Sequence, residues 1–328
     1  MGYRERVEKL QQLSNYRQAN VICYFTGDRE NVSTRVAPDV LPVIYQHLKL
    51  LPPKNRIDLF LYTRGGDVLT PWRLVHLMRE FADRFSVLVP YRAYSAGTLI
   101  CLGADEIIMG KMSELSPIDP SVVNAFNPED PSNPSAKLPV NVEDVYAYLS
   151  LAKEEAGLQS EENITKLFLL LAEKIHPLAL GNVHRNYLLV RSLARKLLAL
   201  RQESLPEKQI TRIVDSLTEK LYAHNHMISR REAAEIGLSV VYADEFTERI
   251  LWSLYEDYRS ELALLEPFNP VTILQGRQKA DFEVAGGLLE SVNRRDAFIF
   301  SGTIDYKHYP EPGQVNVNIV HQGWRQTG

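Results

Sequence analysis

YTRGGDV, Tyr62 to Val68, and YRAYSAGTLICLGADEIIMG, Tyr91 to Gly110, decide how the rest of the chain is read. RIDLFLYT runs into the first as a short apolar strand pattern that ends on two glycines. SVLVPYRAY runs into Ser95, which Ala96 and Gly97 follow before apolar residues continue at helical spacing. Where a strand hands over to a helix, the junction side chain is pushed into the open and the first helical N–H groups stay free. Glycine lets another backbone approach closely. Two neighbouring strand ends of this kind form one pocket: a serine hydroxyl, an N–H from Gly65 or Gly66, and the N–H of Ala96. Attack on a carbonyl needs that set, a nucleophile and donors aimed at the oxygen that becomes negative.

Working outward, ANVICYFTG (Ala19 to Gly27) reads as another buried strand, and VAPDVLPVIYQHLKLLP as a helix stopped by Pro52 and Pro53. TPWRLVHLMREFADRF is a helix with Thr70 as N-cap and Pro71 at the first helical position, and EIIMG is a fourth strand. Strand and helix in alternation mean an α/β unit with a parallel sheet, whose sites gather at the carboxyl ends of the strands. Residues 117–136 are rich in Pro, Asn and Ser and read as a long loop. Residues 140–223 are almost wholly helical, and ISRREAAEIGLSVVYAD is a capped helix ending at Gly237 before a short strand. Beyond Pro267, DAFIFSGTIDY and VNVNIVHQGW read as a hairpin pair. The expected division is 1–266, with the helical segment 140–223 inside it, and a β-rich extension over 267–328.

The 328 residues, 45% hydrophobic and 24% charged, allow a substantial core, and a net charge of −4 without a basic run gives no reason to expect nucleic acid. Cys23 and Cys101 lie in apolar runs and read as core residues. A polar start without an apolar leader, and no apolar run long enough for a membrane span, make the expected location cytoplasmic. His224 and His226 lie two apart without a third ligand at metal spacing, and HExxH, P-loop and dinucleotide fingerprints are absent. No metal and no cofactor is expected.

TRGGDVLTPWRLVHLMR, AYSAGTLICLGADEIIMGKMSELSPIDP and ISRREAAEIGLSV together resemble the serine dehydrogenase proteinase family. That family is related to signal-peptide peptidase A and, more distantly, to the proteolytic subunit of the Clp protease. The resemblance covers roughly residues 19–260 and implies a crotonase/Clp-protease-like α/β fold with a repeated ββα core. The helical segment is then a large insertion and the C-terminal stretch a small extension. It implies a serine endopeptidase acting on peptides or proteins and self-associated as a homo-oligomer; with no P-loop in the sequence, no ATP use of its own is expected. Ser95 is then the nucleophile, and the amides of Gly66 and Ala96, with Gly65 beside them, form the oxyanion hole. Arg64, Gly97 and Asp119 are the expected substrate-binding residues, and Asp119 either orients a base or caps a turn.

A serine needs a base. Clp-type relatives carry a histidine where this chain has SPIDP with Asp119, whereas signal-peptide-peptidase-like relatives use a lysine at a spacing that Lys137 matches. Lys137 is therefore the expected base, with Lys111, His176 and His184 as rivals. Arg64 stands where the relatives have proline, and either contacts a substrate carboxylate or pairs with Asp67 or Asp105. Two other readings remain open: a catalytically silent scaffold that binds peptides or partner proteins, and an acyl-CoA lyase or hydrolase using the same pocket. No acidic pair near the glycines suits hydration chemistry, which speaks against the last.

Overall fold

The computed structural model describes residues 2–118, 121–122, 124–218, 226–306 and 315–328. Four parallel strands follow from the buried apolar runs: β1 (Asn20–Thr26), β2 (Arg56–Tyr62), β3 (Arg84–Val89) and β4 (Glu106–Met109). A fifth, β5 (Val240–Tyr242), pairs parallel to β4. β6 (Lys279–Ser291), β7 (Arg294–Tyr306) and β8 (Val315–Gln326) complete one eight-stranded sheet in the order β5-β4-β3-β2-β1-β6-β7-β8. The architecture is thus mixed α/β around a mostly parallel sheet. The C-terminal strands belong to it, because β6 runs antiparallel along β1 with Cys23 opposite Glu290.

Side chains alternate across a strand, so each buried strand feeds two cores. Ile22, Tyr24, Leu59, Leu61, Val87 and Ile107 face one side. There they meet α2 (Val40–Lys49), α3 (Thr70–Arg79), α4 (Ala96–Leu102) and the later half of α7 (Pro177–Leu198). Val21, Cys23, Phe25, Phe60, Leu88 and Ile108 face the other, against Leu10 and Leu13 of α1 (Tyr3–Arg17) and Leu254 and Tyr258 of α10 (Glu245–Glu261). Both cysteines are buried and free, and burial pushes their thiols up. Arg6 is buried between these layers. It makes a two-bond contact to Glu290 at 2.9 and 2.7 Å, and an ion pair with Glu261 at 2.6 Å, tying α1 to β6 and α10.

The long segment read as helical contains α5 (Val142–Ser150), a π turn (Leu151–Glu155), α6 (Glu161–Lys174), α7 and α8 (Glu207–Thr218). The first half of α7 shares a small separate core with Val140 and Val145 through Leu180 and Val183. The loop before it is not structureless, since Glu129–Asp130 and Asn133–Lys137 pair antiparallel. Among the described residues no helix is long and apolar enough to cross a membrane.

Two sequence expectations shift by a few residues. α3 begins at Thr70 itself, and the capping falls to Asp67, whose Oδ2 accepts from the N–H groups of Leu69 (3.2 Å) and Thr70 (2.7 Å). The third strand breaks at Pro90: Arg92–Ala93 leaves the main sheet for a small one beside Glu114–Leu115 and Ile228–Ser229. α9 (Arg230–Ile236) is capped by the Ser229 side chain and closed by Gly237 at φ 111°, as its sequence predicts.

Candidate active site

The site lies past the carboxyl ends of β2 and β3. Thr63 bridges to the small sheet, donating its N–H to Arg92 O (2.9 Å) and accepting from Tyr94 N at 3.0 Å. This stitches the glycine turn to the serine turn. Gly65 and Gly66 have φ of 110° and 152°, a range that favours glycine. Gly65 O accepts from Val36 N, and Val36 O accepts from Asp67 N, each at 2.8 Å. A Cβ on Gly66 would stand 2.1 Å from Val36 O. The glycine is required because two backbones meet there.

Ser95 adopts φ 51°, ψ −107°, a strained conformation for a residue with a side chain. It is held from both sides. Gly97 N donates to Tyr94 O (2.8 Å) and Leu99 N to Ser95 O (3.0 Å), closing the first turn of α4. Ser95 N donates to the hydroxyl of Ser116 at 2.8 Å. Ser116 reaches that place because Glu114–Leu115 runs parallel to Arg92–Ala93, one step ahead of the serine turn. Thr98 Oγ1 lies 2.9 Å from the carbonyls of Ala93 and Ser116 and accepts the N–H of Ser116 at 3.2 Å.

The two turns come together. A Cβ on Gly65 would lie 2.9 Å from Ser95 Cβ and 3.4 Å from its Oγ. Gly65 N is taken by Thr63 Oγ1 at 3.0 Å. Among the described residues the N–H groups of Gly66 and Ala96 have no acceptor, and the Ser95 hydroxyl has no hydrogen-bond partner. Ser95 and Gly66 are half-buried while Ala96 is buried. A hydroxyl beside two open amides is suited to attack a carbonyl and hold the resulting oxyanion.

The other sequence candidates are placed as follows. Gly97 is buried, and a Cβ there would come 2.6 Å from Thr63 Cγ2, so its absence lets α4 close on the glycine turn. Arg64 is exposed and in neither of the expected ion pairs: Asp67 caps α3, and Asp105 pairs with Arg79 at 3.0 Å. Lys137 bonds Glu129 at 3.1 Å across the small hairpin. Lys111 is exposed, its N–H held by Glu248. His176 caps α7 through Leu178 N and stacks on Phe126, while His184 Nδ1 lies 2.6 Å from the Tyr146 hydroxyl. His226 pairs with Glu232 at 2.9 Å. Asp119 and His224 lie outside the described residues. No group of three His, Cys, Asp or Glu side chains able to hold a metal occurs among the described residues.

Thr63, Thr98 and Ser116 were not among the candidates. Single hydroxyls carry no sequence pattern, and only the pairing of Arg92–Ala93 with Glu114–Leu115 brings Ser116 under Ser95.

The uncharacterized protein MJ0137 of Methanocaldococcus jannaschii is 26% identical over 261 residues, covering 77% of this chain and 78% of its own length. The uncharacterized protein MJ1495 of the same organism is 37% identical over 79 residues, 24% of this chain and 27% of its own. The family described as ClpP-like SDH-type serine proteinase matches residues 4–176, which take in the glycine turn, Ser95 and Ser116. On that match, the chain belongs to the ClpP-like SDH-type serine proteinases.

Proposed function

We propose that this member of a serine proteinase family is an endopeptidase whose nucleophile is Ser95. The observation that carries the proposal is the strained Ser95 turn, its hydroxyl unengaged among the described residues and the amides of Gly66 and Ala96 open beside it. In the proposed reaction Ser95 Oγ attacks the scissile carbonyl and gives its proton to the base. The carbonyl oxygen becomes an oxyanion held by the N–H groups of Gly66 and Ala96. Collapse of the adduct breaks the C–N bond, the amine leaves with the proton, and water then releases the acyl group from Ser95.

Lys137 is the proposed base, and in that role it has to exchange Glu129 for Ser95. Lys111, His176 and His184 are the rivals. Arg64, exposed and immediately before the double glycine, is the proposed contact for an acidic group of the substrate. Asp119 belongs to the same substrate side in this proposal. Gly97 contributes by letting α4 pack on Thr63. A cytoplasmic location, catalysis without ATP and assembly as a homo-oligomer complete it. Sedimentation that shows only monomer at micromolar concentration removes the last.

One observation favours a second reading, a silent scaffold that binds peptides: among the described residues Ser95 has no base in contact. Labelling with a fluorophosphonate, followed by mass mapping, on the wild type, Ser95→Ala and Lys137→Ala separates the two. Label on Ser95 that is lost in both variants establishes the nucleophile and its base. Label lost only in Ser95→Ala keeps the peptidase and moves the base to Lys111, His176 or His184. A folded wild type that takes no label supports the scaffold.

A further inference from the structure

We propose that Thr63 and Ser116 are positioning residues that aim the two oxyanion donors, an inference that rests on Ser95 being the nucleophile. The two turns repeat one arrangement. Thr63 Oγ1 accepts the N–H of Gly65, and the next amide, Gly66, is open. Ser116 Oγ accepts the N–H of Ser95, and the next amide, Ala96, is open. In each turn a buried hydroxyl engages the amide immediately before a donor. Only the φ and ψ of one residue separate the two peptide planes, and that residue is Gly65 at φ 110° in one turn and Ser95 at φ 51° in the other. Anchoring the first plane therefore sets the direction of the second N–H.

Both hydroxyls are themselves fixed. Thr26 Oγ1 lies 2.8 Å from Thr63 Oγ1, and Ser116 donates to Pro117 O at 2.9 Å while Thr98 Oγ1 accepts its N–H. Thr26, Thr63, Thr98 and Ser116 are all buried, so solvent does not compete for these contacts. The arrangement also settles membership of the hole. The N–H of a nucleophile can itself serve as an oxyanion donor. Here Ser116 withdraws the Ser95 N–H from that use and leaves Gly66 and Ala96 as the pair.

The test is fluorophosphonate labelling of the full chain with kinact and KI measured separately, and melting temperature as a control for folding. Thr63→Val keeps the shape and deletes the acceptor, Ser116→Ala deletes the other, and Thr63→Ser restores the hydroxyl without the methyl that packs on Gly97. Expected are losses of roughly 10- to 100-fold in kinact for Thr63→Val and for Ser116→Ala, with KI changed less than about 3-fold. Thr63→Ser is expected to recover kinact to within about 3-fold of the wild type. A purely structural role lowers stability and leaves kinact of the folded fraction intact, and that result overturns the proposal while Ser95 stays the nucleophile. A folded wild type without label at Ser95 removes the nucleophile, and this inference with it. If neither deletion variant folds, amide hydrogen exchange of the wild type decides. Gly65 and Ser95 protected, with the half-buried Gly66 exchanging faster than Gly65, is the expected pattern, and Gly65 exchanging faster than Gly66 overturns it.

Discussion

Gly65 lies against Ser95 with no room for a side chain: a Cβ on the glycine would stand 2.9 Å from the Cβ of the serine. Gly65→Ala therefore meets a collision and an unfavourable backbone together. The φ of 110° alone costs about 1–2 kcal/mol for a residue with a Cβ. Urea denaturation is expected to show at least that loss, and labelling of Ser95 to fall more steeply than stability does. Equal labelling rates on the folded fraction would contradict the close approach.

Asp67 joins the glycine turn to α3 through one carboxylate oxygen, which takes two backbone N–H groups and lies 2.7 Å from Thr70 Oγ1. Asp67→Ala is expected to cost about 1 kcal/mol, the usual worth of an N-cap. Asp67→Asn, which keeps an acceptor, is expected to recover most of it in the same urea titration.

His47 is buried between Ser291 (2.8 Å from Nδ1) and Asp296 (3.0 Å from Nε2). Desolvation lowers its pKa to about 4, outweighing the attraction of Asp296. The unfolded chain, with an ordinary histidine near 6.5, takes up the proton first as pH falls. His47 thus contributes stability that is present above pH 6.5 and is lost between 6.5 and about 4, on the order of 3 kcal/mol in all. Urea midpoints of the wild type and His47→Gln, compared at pH 7 and pH 5, are expected to differ in slope with pH. Parallel lines would remove His47 as the cause.

Arg6→Ala leaves Glu290 buried with, among the described residues, Arg295 (3.1 Å) and the Tyr258 hydroxyl (2.9 Å) as its remaining side-chain partners. Removing one member of a buried pair costs about 3–5 kcal/mol, and the remaining partners place this case near the lower end. Equilibrium unfolding measures it directly. A change below about 1 kcal/mol would mean that Glu290 is served fully by Arg295 and Tyr258.

The core of the fold was legible because it is local. NVICYFT and RIDLFLY are buried along nearly their whole length, and a parallel strand covered on both faces reads as an unbroken apolar run. β6 was not legible. KADFEVAGGLLES carries Gly286 and Gly287 in its middle, which by themselves suggest a turn. In the fold they mark an irregularity in the pairing with β7 and a tight approach to Thr34, whose Oγ1 would lie 2.8 Å from a Cβ on Gly287. Ser95 and the double glycine stood out as strand ends, while the hydroxyls that hold them did not. Their meaning depends on which strands lie side by side, and spacing along the chain does not carry that information.

The seating of β6 against β1 bears on how the molecule is made. β1 is an interior strand, and its partner on one side follows soon after it, while Cys23 finds Glu290 only across nearly the whole chain. During synthesis the free edge of β1 has to wait on the ribosome until β6 emerges, with Arg6 waiting for Glu290 beside it. Late, long-range pairing of this sort slows folding. It also means that the sheet under the Ser95 turn is completed only once every residue between β1 and β6 has been made, well after the serine turn itself has emerged.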